Sequence, residues 1–96
     1  MRVRWSPLAF LRLIEIEEFI SEDDPVAAER VTESLVEKAS KLAVNPKRGR
    51  PLPELPGAPY RELVVGNYRV VYRVAGKSVD ILTVFEGHRL LRLDEL

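Results

Sequence analysis

Residues 60–74 read YRELVVGNYRVVYRV, and their alternation decides the fold. Apolar residues recur at every second position around Gly66-Asn67, Leu63 and Val65 before it and Tyr68, Val70, Tyr72 and Val74 after it, the pattern of two strands that each bury one face. Glycine and asparagine tolerate the positive φ that a two-residue hairpin turn needs, so the chain reverses there. A looser turn at Gly76-Lys77 leads into a third alternating stretch. Strands are expected at about 60–65, 68–74 and 79–86, as an antiparallel meander. Arg61, Arg69 and Arg73 stand among these aliphatic and aromatic residues, and each needs a partner, a chemistry or a solvent face.

Two-residue turns fix the register, because directly opposed residues share a face. Val64 then faces Arg69, Arg73 faces Asp80, Val71 faces Leu82 and Arg69 faces Val84. One face reads Leu63, Val65, Tyr68, Val70, Tyr72, Val74, Val79, Ile81 and Phe85, and is expected to meet the core. The other reads Glu62, Val64, Arg69, Val71, Arg73, Asp80, Leu82 and Val84, with His88 in phase beyond it. Val64, Val71, Leu82 and Val84 exceed what a solvated face carries, and exposed apolar clusters mark interaction surfaces. Arg73 is expected to pair with Asp80, a contact of small value. Arg69 has no carboxylate directly opposite, and its alternative partners are the diagonal Glu62 and Glu86. A one-residue bulge would bring Arg61 onto the same face.

Upstream, Arg2 to Trp5 reads as a short strand. Ser6-Pro7 then opens a helix, serine as the cap and proline at the first helical position. Ala9, Leu13, Ile16 and Ile20 give its apolar stripe. Asp24-Pro25 repeats the signal, and a second helix runs to about Ala43 on Ala28, Val31, Leu35, Ala39 and Leu42. The short link between them predicts an antiparallel helical hairpin. Residues 45–59 hold five of the seven prolines and two of the five glycines, which excludes helix and central strand there. Such a loop is either a rigid tether or a functional segment, and Lys47, Arg48 and Arg50 offer it a weak anion contact. The order is β-α-α-β-β-β: an α+β fold with the N-terminal strand and a helical hairpin packed on one face of a small antiparallel sheet.

The 96 residues form one expected domain, 1–96, and 46% hydrophobic with 31% charged residues is a globular balance. No cysteine is present, which removes disulfides, thiol nucleophiles and thiolate metal sites. With one histidine, no all-protein zinc site is expected, and no cofactor is called for. Apolar runs are too short for a membrane span and no signal peptide is visible, so the expected location is cytoplasmic. Residues 1–45 carry six basic and nine acidic side chains, or −3, and residues 46–96 carry nine and six, or +3. That asymmetry favours an anionic partner for the second half.

RELVVGNYRVVYRV at 61–74, followed by ILTVFEGHRLL at 81–91, resembles the RelE/ParE superfamily of toxins from type II toxin–antitoxin systems. WSPLA at 5–9, DDPVAAERV at 23–31 and the PKRGRPLPEL segment at 46–55 are similar to the ParE branch, the plasmid-stabilisation toxins. The resemblance implies one of two activities. RelE-like members are ribosome-dependent endoribonucleases that cut messenger RNA with basic side chains. ParE-like members poison DNA gyrase, a type II topoisomerase. Both imply a cognate antitoxin, ParD-like or RelB-like, that neutralises the toxin, and contact with operator DNA only through that antitoxin.

Residue by residue, the resemblance puts Arg69 and Arg89 at the two nuclease arginines. It puts Glu62 and Val64 where phosphate-binding lysines would stand, and no tyrosine follows Arg89. An acid and an aliphatic cannot replace two cations that hold phosphate. A ParE-like gyrase inhibitor is therefore expected. If the chain is a nuclease instead, Arg69, Glu86, His88 and Arg89 form its minimal set, with His88 as acid or base. A third reading is a non-toxic relative acting in complex assembly or operator binding. The antitoxin is expected on Val64, Arg69, Val71, Leu82 and Val84, and on the helical residues Phe10, Leu11 and Ile14. Trp5 is expected as a structural anchor of the first helix.

Overall fold

The computed structural model describes all 96 residues. Strand β1 (Arg2–Trp5) leads into helices α1 (Pro7–Ser21) and α2 (Pro25–Ser40), followed by a 3-10 turn at Lys41–Ala43. Strand β2 (Arg50–Pro51) is only two residues long; β3 (Tyr60–Val65), β4 (Tyr68–Ala75) and β5 (Ser78–Glu86) form the meander. A last 3-10 turn covers Leu93–Glu95. Both helices start as their sequences dictate: the Ser6 side chain accepts the Ala9 N–H at 3.0 Å, and Asp24 accepts that of Ala27 at 3.1 Å. No helix is long and apolar enough to cross a membrane.

The sheet runs β1-β5-β4-β3-β2. It is mixed, because β1 pairs in parallel with β5, Arg4 opposite Asp80, while the other pairs are antiparallel. Ala9, Leu35, Ala39 and Leu42 from the helical side meet Val65, Val70, Tyr72, Val79, Ile81 and Val84 from the sheet. Val3, Trp5, Leu13, Ile16 and Val31 pack around that cluster, so Trp5 takes the anchoring place expected of it. Each large aliphatic side chain buried there contributes about 1.5–3 kcal/mol.

The β3–β4 register is the one the Gly66-Asn67 turn predicts, Val65 opposite Tyr68 through Arg61 opposite Tyr72. The β4–β5 register follows prediction only from Val74–Val79 to Tyr72–Ile81. A bulge at Leu82 then shifts it, so that Val71 faces Thr83, Val70 faces Val84, Arg69 faces Phe85 and Tyr68 faces Glu86. An extra residue in one strand moves every later side chain to the other face. Val84 therefore joins the core and Phe85 leaves it, the reverse of the expected assignment. Ser6 holds the bulge: its N–H donates to the Ile81 carbonyl at 3.0 Å and its hydroxyl to the Leu82 carbonyl at 3.1 Å.

Candidate functional site: the arginine–carboxylate face and the helical apolar patch

The outer sheet face centres on Arg69, and the proline-rich loop builds half of it. The Tyr72 hydroxyl accepts the Gly49 N–H and donates to the Pro46 carbonyl, each at 2.8 Å. Arg61 donates to the Gly49 carbonyl at 2.7 Å. A Cβ at Gly49 would lie 2.5 Å from the Glu62 carbonyl oxygen and 2.6 Å from the Tyr72 hydroxyl, so only glycine fits this close approach. Arg50 then pairs with Glu62 in the β2–β3 ladder, and the Leu52 N–H donates to the Tyr60 carbonyl at 3.0 Å with Leu52 buried. The loop is a tether, and it delivers Glu54 to the sheet.

Four charges meet there. Arg69 forks onto Glu54 with two parallel hydrogen bonds of 2.7 Å. Its Nε and Nη2 also reach one oxygen of Glu62, whose other oxygen accepts Arg50 Nε at 2.6 Å. The Arg69 guanidinium lies 5.0 Å from the centroid of the Phe85 ring, a cation–π contact made available by the bulge. Glu62 is buried, and two arginines satisfy its oxygens, which is what makes a buried carboxylate tolerable. The bidentate hydrogen bonds from Arg69 hold the Glu54 carboxyl below its ordinary range, and those to Glu54 and then Glu62 raise the guanidinium above its own.

This arrangement corrects several expectations. Arg69 takes the diagonal partner Glu62 and a second one, Glu54, that the register could not reveal. Val71 and Val84 are buried within the chain itself, Val71 on the outer face and Val84 in the core, so neither is part of an open patch. Of the four aliphatics only Val64, 57% exposed, is freely presented, and Leu82 is half-buried at the bulge. Asp80 stands opposite Arg73, but its carboxylate takes Arg4 Nε at 3.0 Å and the Ser78 hydroxyl at 3.1 Å instead. Arg61 turns to Gly49 rather than joining this face, because the bulge falls in β5 and leaves β3 in register.

The nuclease set is only partly assembled. Gly87 packs beside the stem of Arg69, a Cβ there being 3.8 Å from Arg69 Cγ, which brings the 86–89 turn close. His88 is 84% exposed, with Nε2 3.9 Å from Glu86, and Arg89 is exposed at the edge of a cavity of about 370 Å³. That cavity lies between α1, the end of β5 and the C-terminal tail. Glu95 closes it, accepting from Arg12 Nη2 at 2.9 Å and from the Thr83 hydroxyl at 2.7 Å. Sequence reasoning missed Glu54 and Glu95 as partners of Arg69 and Arg12; Glu54 is legible only as the lone acid in a basic, proline-rich loop.

The second surface is helical. Phe10, Leu11 and Ile14 are 55%, 49% and 37% exposed, a stripe on α1 distinct from the buried Ala9 side. Three large apolar side chains on one helix are left uncovered by the rest of the chain.

Residues 3–91 match the family model described as ParE toxin of type II toxin-antitoxin system, parDE. A Sinorhizobium fredii protein designated toxin Y4kP is 39% identical over 90 residues, covering 92% of this chain and 90% of that one. Toxin RelE2 of Caulobacter vibrioides is 37% identical over 90 residues, covering 93% and 98%. Among solved structures, the chromosomal ParDE toxin–antitoxin system from P. aeruginosa aligns with a TM-score of 0.75 at 27% identity, over 90% of this chain and 95% of that one. The toxin–antitoxin complex RelBE2 from Mycobacterium tuberculosis aligns at 0.67 and 28%, over 88% of each chain.

Proposed function

For a chain that belongs to the ParE toxin family of type II toxin–antitoxin systems, we propose action as a cytoplasmic poison of DNA gyrase, held inactive by a cognate antitoxin. The observation that carries this reading against the nuclease alternative is the occupancy of Arg69. A phosphate-holding arginine must offer its fork to the substrate. The fork of Arg69 is taken by Glu54, and Glu62 lies buried against it. Arg50, Arg69, Glu54 and Glu62 sum to zero charge, which gives an anionic transition state no net stabilisation.

The antitoxin reading rests on the structural neighbours, which are toxin–antitoxin complexes, and on the α1 stripe. A partner helix with an apolar face would cover Phe10, Leu11 and Ile14, and Val64 at the sheet edge would extend the contact. Arg69 lies opposite Val64 across the β3–β4 ladder and belongs to that second area.

The test has two arms. Antitoxin-free protein is given to gyrase with relaxed plasmid, and to translating ribosomes carrying a defined message. Loss of supercoiling with intact message supports the proposal. Message cut in the ribosome while supercoiling proceeds would replace it with the endoribonuclease.

A further inference from the structure

A second charged surface lies at the opposite end of the sheet from the Gly66-Asn67 turn. Arg2, Arg4, Lys77 and Ser78 line a shallow hollow of about 400 Å³ to which no apolar side chain contributes. The pairing explains why these cations gather. Arg2 sits opposite Ser78 and Arg4 opposite Asp80 across the β1–β5 ladder, and Asp80 in turn faces Arg73 on β4. Asp80 is the one carboxylate among these positions, and Arg4 binds it. Arg2, Arg73 and Lys77 have no ion-pair partner, and the buried Nε–H of Arg73 donates to nothing in the chain. Arg73 still acts on Asp80 through space, so four cations, Arg2, Arg4, Arg73 and Lys77, share one carboxylate; the excess positive charge is self-repelling, a cost that an external anion removes.

We propose that this end of the sheet is a contact surface for the phosphate backbone of duplex DNA. The chemistry separates DNA from other polyanions. A protein interface needs an apolar or aromatic centre, and the hollow has none. Single-stranded RNA is held by stacking its bases on exposed aromatics, which the hollow also lacks. What remains is charge on a flat sheet end. Strand spacing and rise give it a span of about 10 Å across β1, β5 and β4 and about 7 Å along them. About 10 Å of duplex axis carries roughly six phosphate charges, of which one side can meet Arg2, Arg4 and Lys77, the cations that line the hollow. The guanidinium forks suit phosphate geometry. Such contacts position a protein on DNA without reading its sequence. The surface deepens the gyrase reading, on which it rests, since DNA is that enzyme's substrate and lies within reach of any protein bound at its active complex. The binding is measured without topoisomerase, so either idea can fail alone.

The test is fluorescence anisotropy of the full, antitoxin-free chain with a labelled 20-base-pair duplex of arbitrary sequence across a salt series. Single-stranded RNA of equal length and polyglutamate are the comparison ligands. The wild-type slope of log K against log salt is expected near about −3, from roughly three phosphate contacts. The double variant Arg2→Ala/Lys77→Ala should reduce that slope in magnitude by about two. The charge-matched control Arg30→Ala/Lys38→Ala, both exposed on α2, should leave it unchanged. All four positions are at the surface, and matching melting curves establish that the variants fold. The proposal is overturned by no duplex binding at low salt, by equal loss in the control, by an unchanged slope in the double variant, or by tighter binding of RNA or polyglutamate than of duplex.

Discussion

Replacing Arg69 with alanine should cost this chain more stability than any other surface-face substitution, and the structure says why. Arg69 is 13% exposed and touches Glu62, whose side chain is completely buried. Removing one partner of a buried ion pair costs about 3–5 kcal/mol, because the other charge stays desolvated. Glu62 keeps Arg50 on its second oxygen, so the low end, about 3 kcal/mol, applies. The contact with Phe85 adds about 0.5–1 kcal/mol. Glu54, about one-third exposed, returns to water when its partner goes, and its own removal should cost no more than about 1 kcal/mol. Domains of this size lose about 4–8 °C of melting temperature per kcal/mol, so Arg69→Ala, at about 3.5–4 kcal/mol, is expected to melt roughly 14–32 °C lower and Glu54→Ala roughly 4–8 °C lower. Arg69→Lys should fall between them, since a point charge cannot fork onto two carboxylates. Paired thermal and urea melts of the three variants read this directly. Arg69→Ala within about 1 kcal/mol of wild type, the scale of an exposed pair, would refute the reasoning. So would a Glu54→Ala loss as large as that of Arg69→Ala.

Gly49→Ala should release the proline-rich loop, since its Cβ has no room beside Tyr72, and limited proteolysis should then cut within 45–59 while Tyr72→Phe gives a smaller effect of about 1–3 kcal/mol. The C-terminal tail should loosen in acid. The Glu95 carboxyl is held below its ordinary 4.5, chiefly by the Arg12 hydrogen bond, so its contribution is complete above that value and lost as pH falls through the lower folded one. Amide shifts of Thr83 and Leu96 followed from pH 6 to 3 should report it, and Glu95→Gln should flatten that share of the profile. Ile14→Glu should leave the melting curve within about 0.5 kcal/mol and weaken antitoxin binding at least tenfold by calorimetry, because Ile14 is exposed on α1. Equal affinity would remove α1 from the antitoxin interface. His88→Ala should change nothing in any ribosome assay; abolished message cleavage would restore the nuclease.

Local signals made most of the fold legible. Ser6-Pro7 and Asp24-Pro25 mark the helix starts, and the side-chain caps form as their sequences dictate. Gly66-Asn67 fixes all six β3–β4 pairs. Long-range chemistry hid the rest. The bulge at Leu82 carries no glycine or proline; it is held by Ser6, 76 residues away, and it exchanged Val84 and Phe85 between faces. The strand register offers Arg69 only the diagonal Glu62 and Glu86, whereas Glu54 arrives on a loop whose course depends on the Tyr72 hydroxyl and the missing side chain of Gly49. Parallel pairing of β1 was equally invisible, since no turn connects it to β5.

The most direct test of the central claim is a DNA-cleavage assay with purified gyrase, ATP, negatively supercoiled plasmid and the antitoxin-free chain. Linear plasmid should accumulate at near-stoichiometric protein, and added antitoxin should abolish it. Fully active gyrase with no linear product, in the presence of folded protein, would contradict the claim.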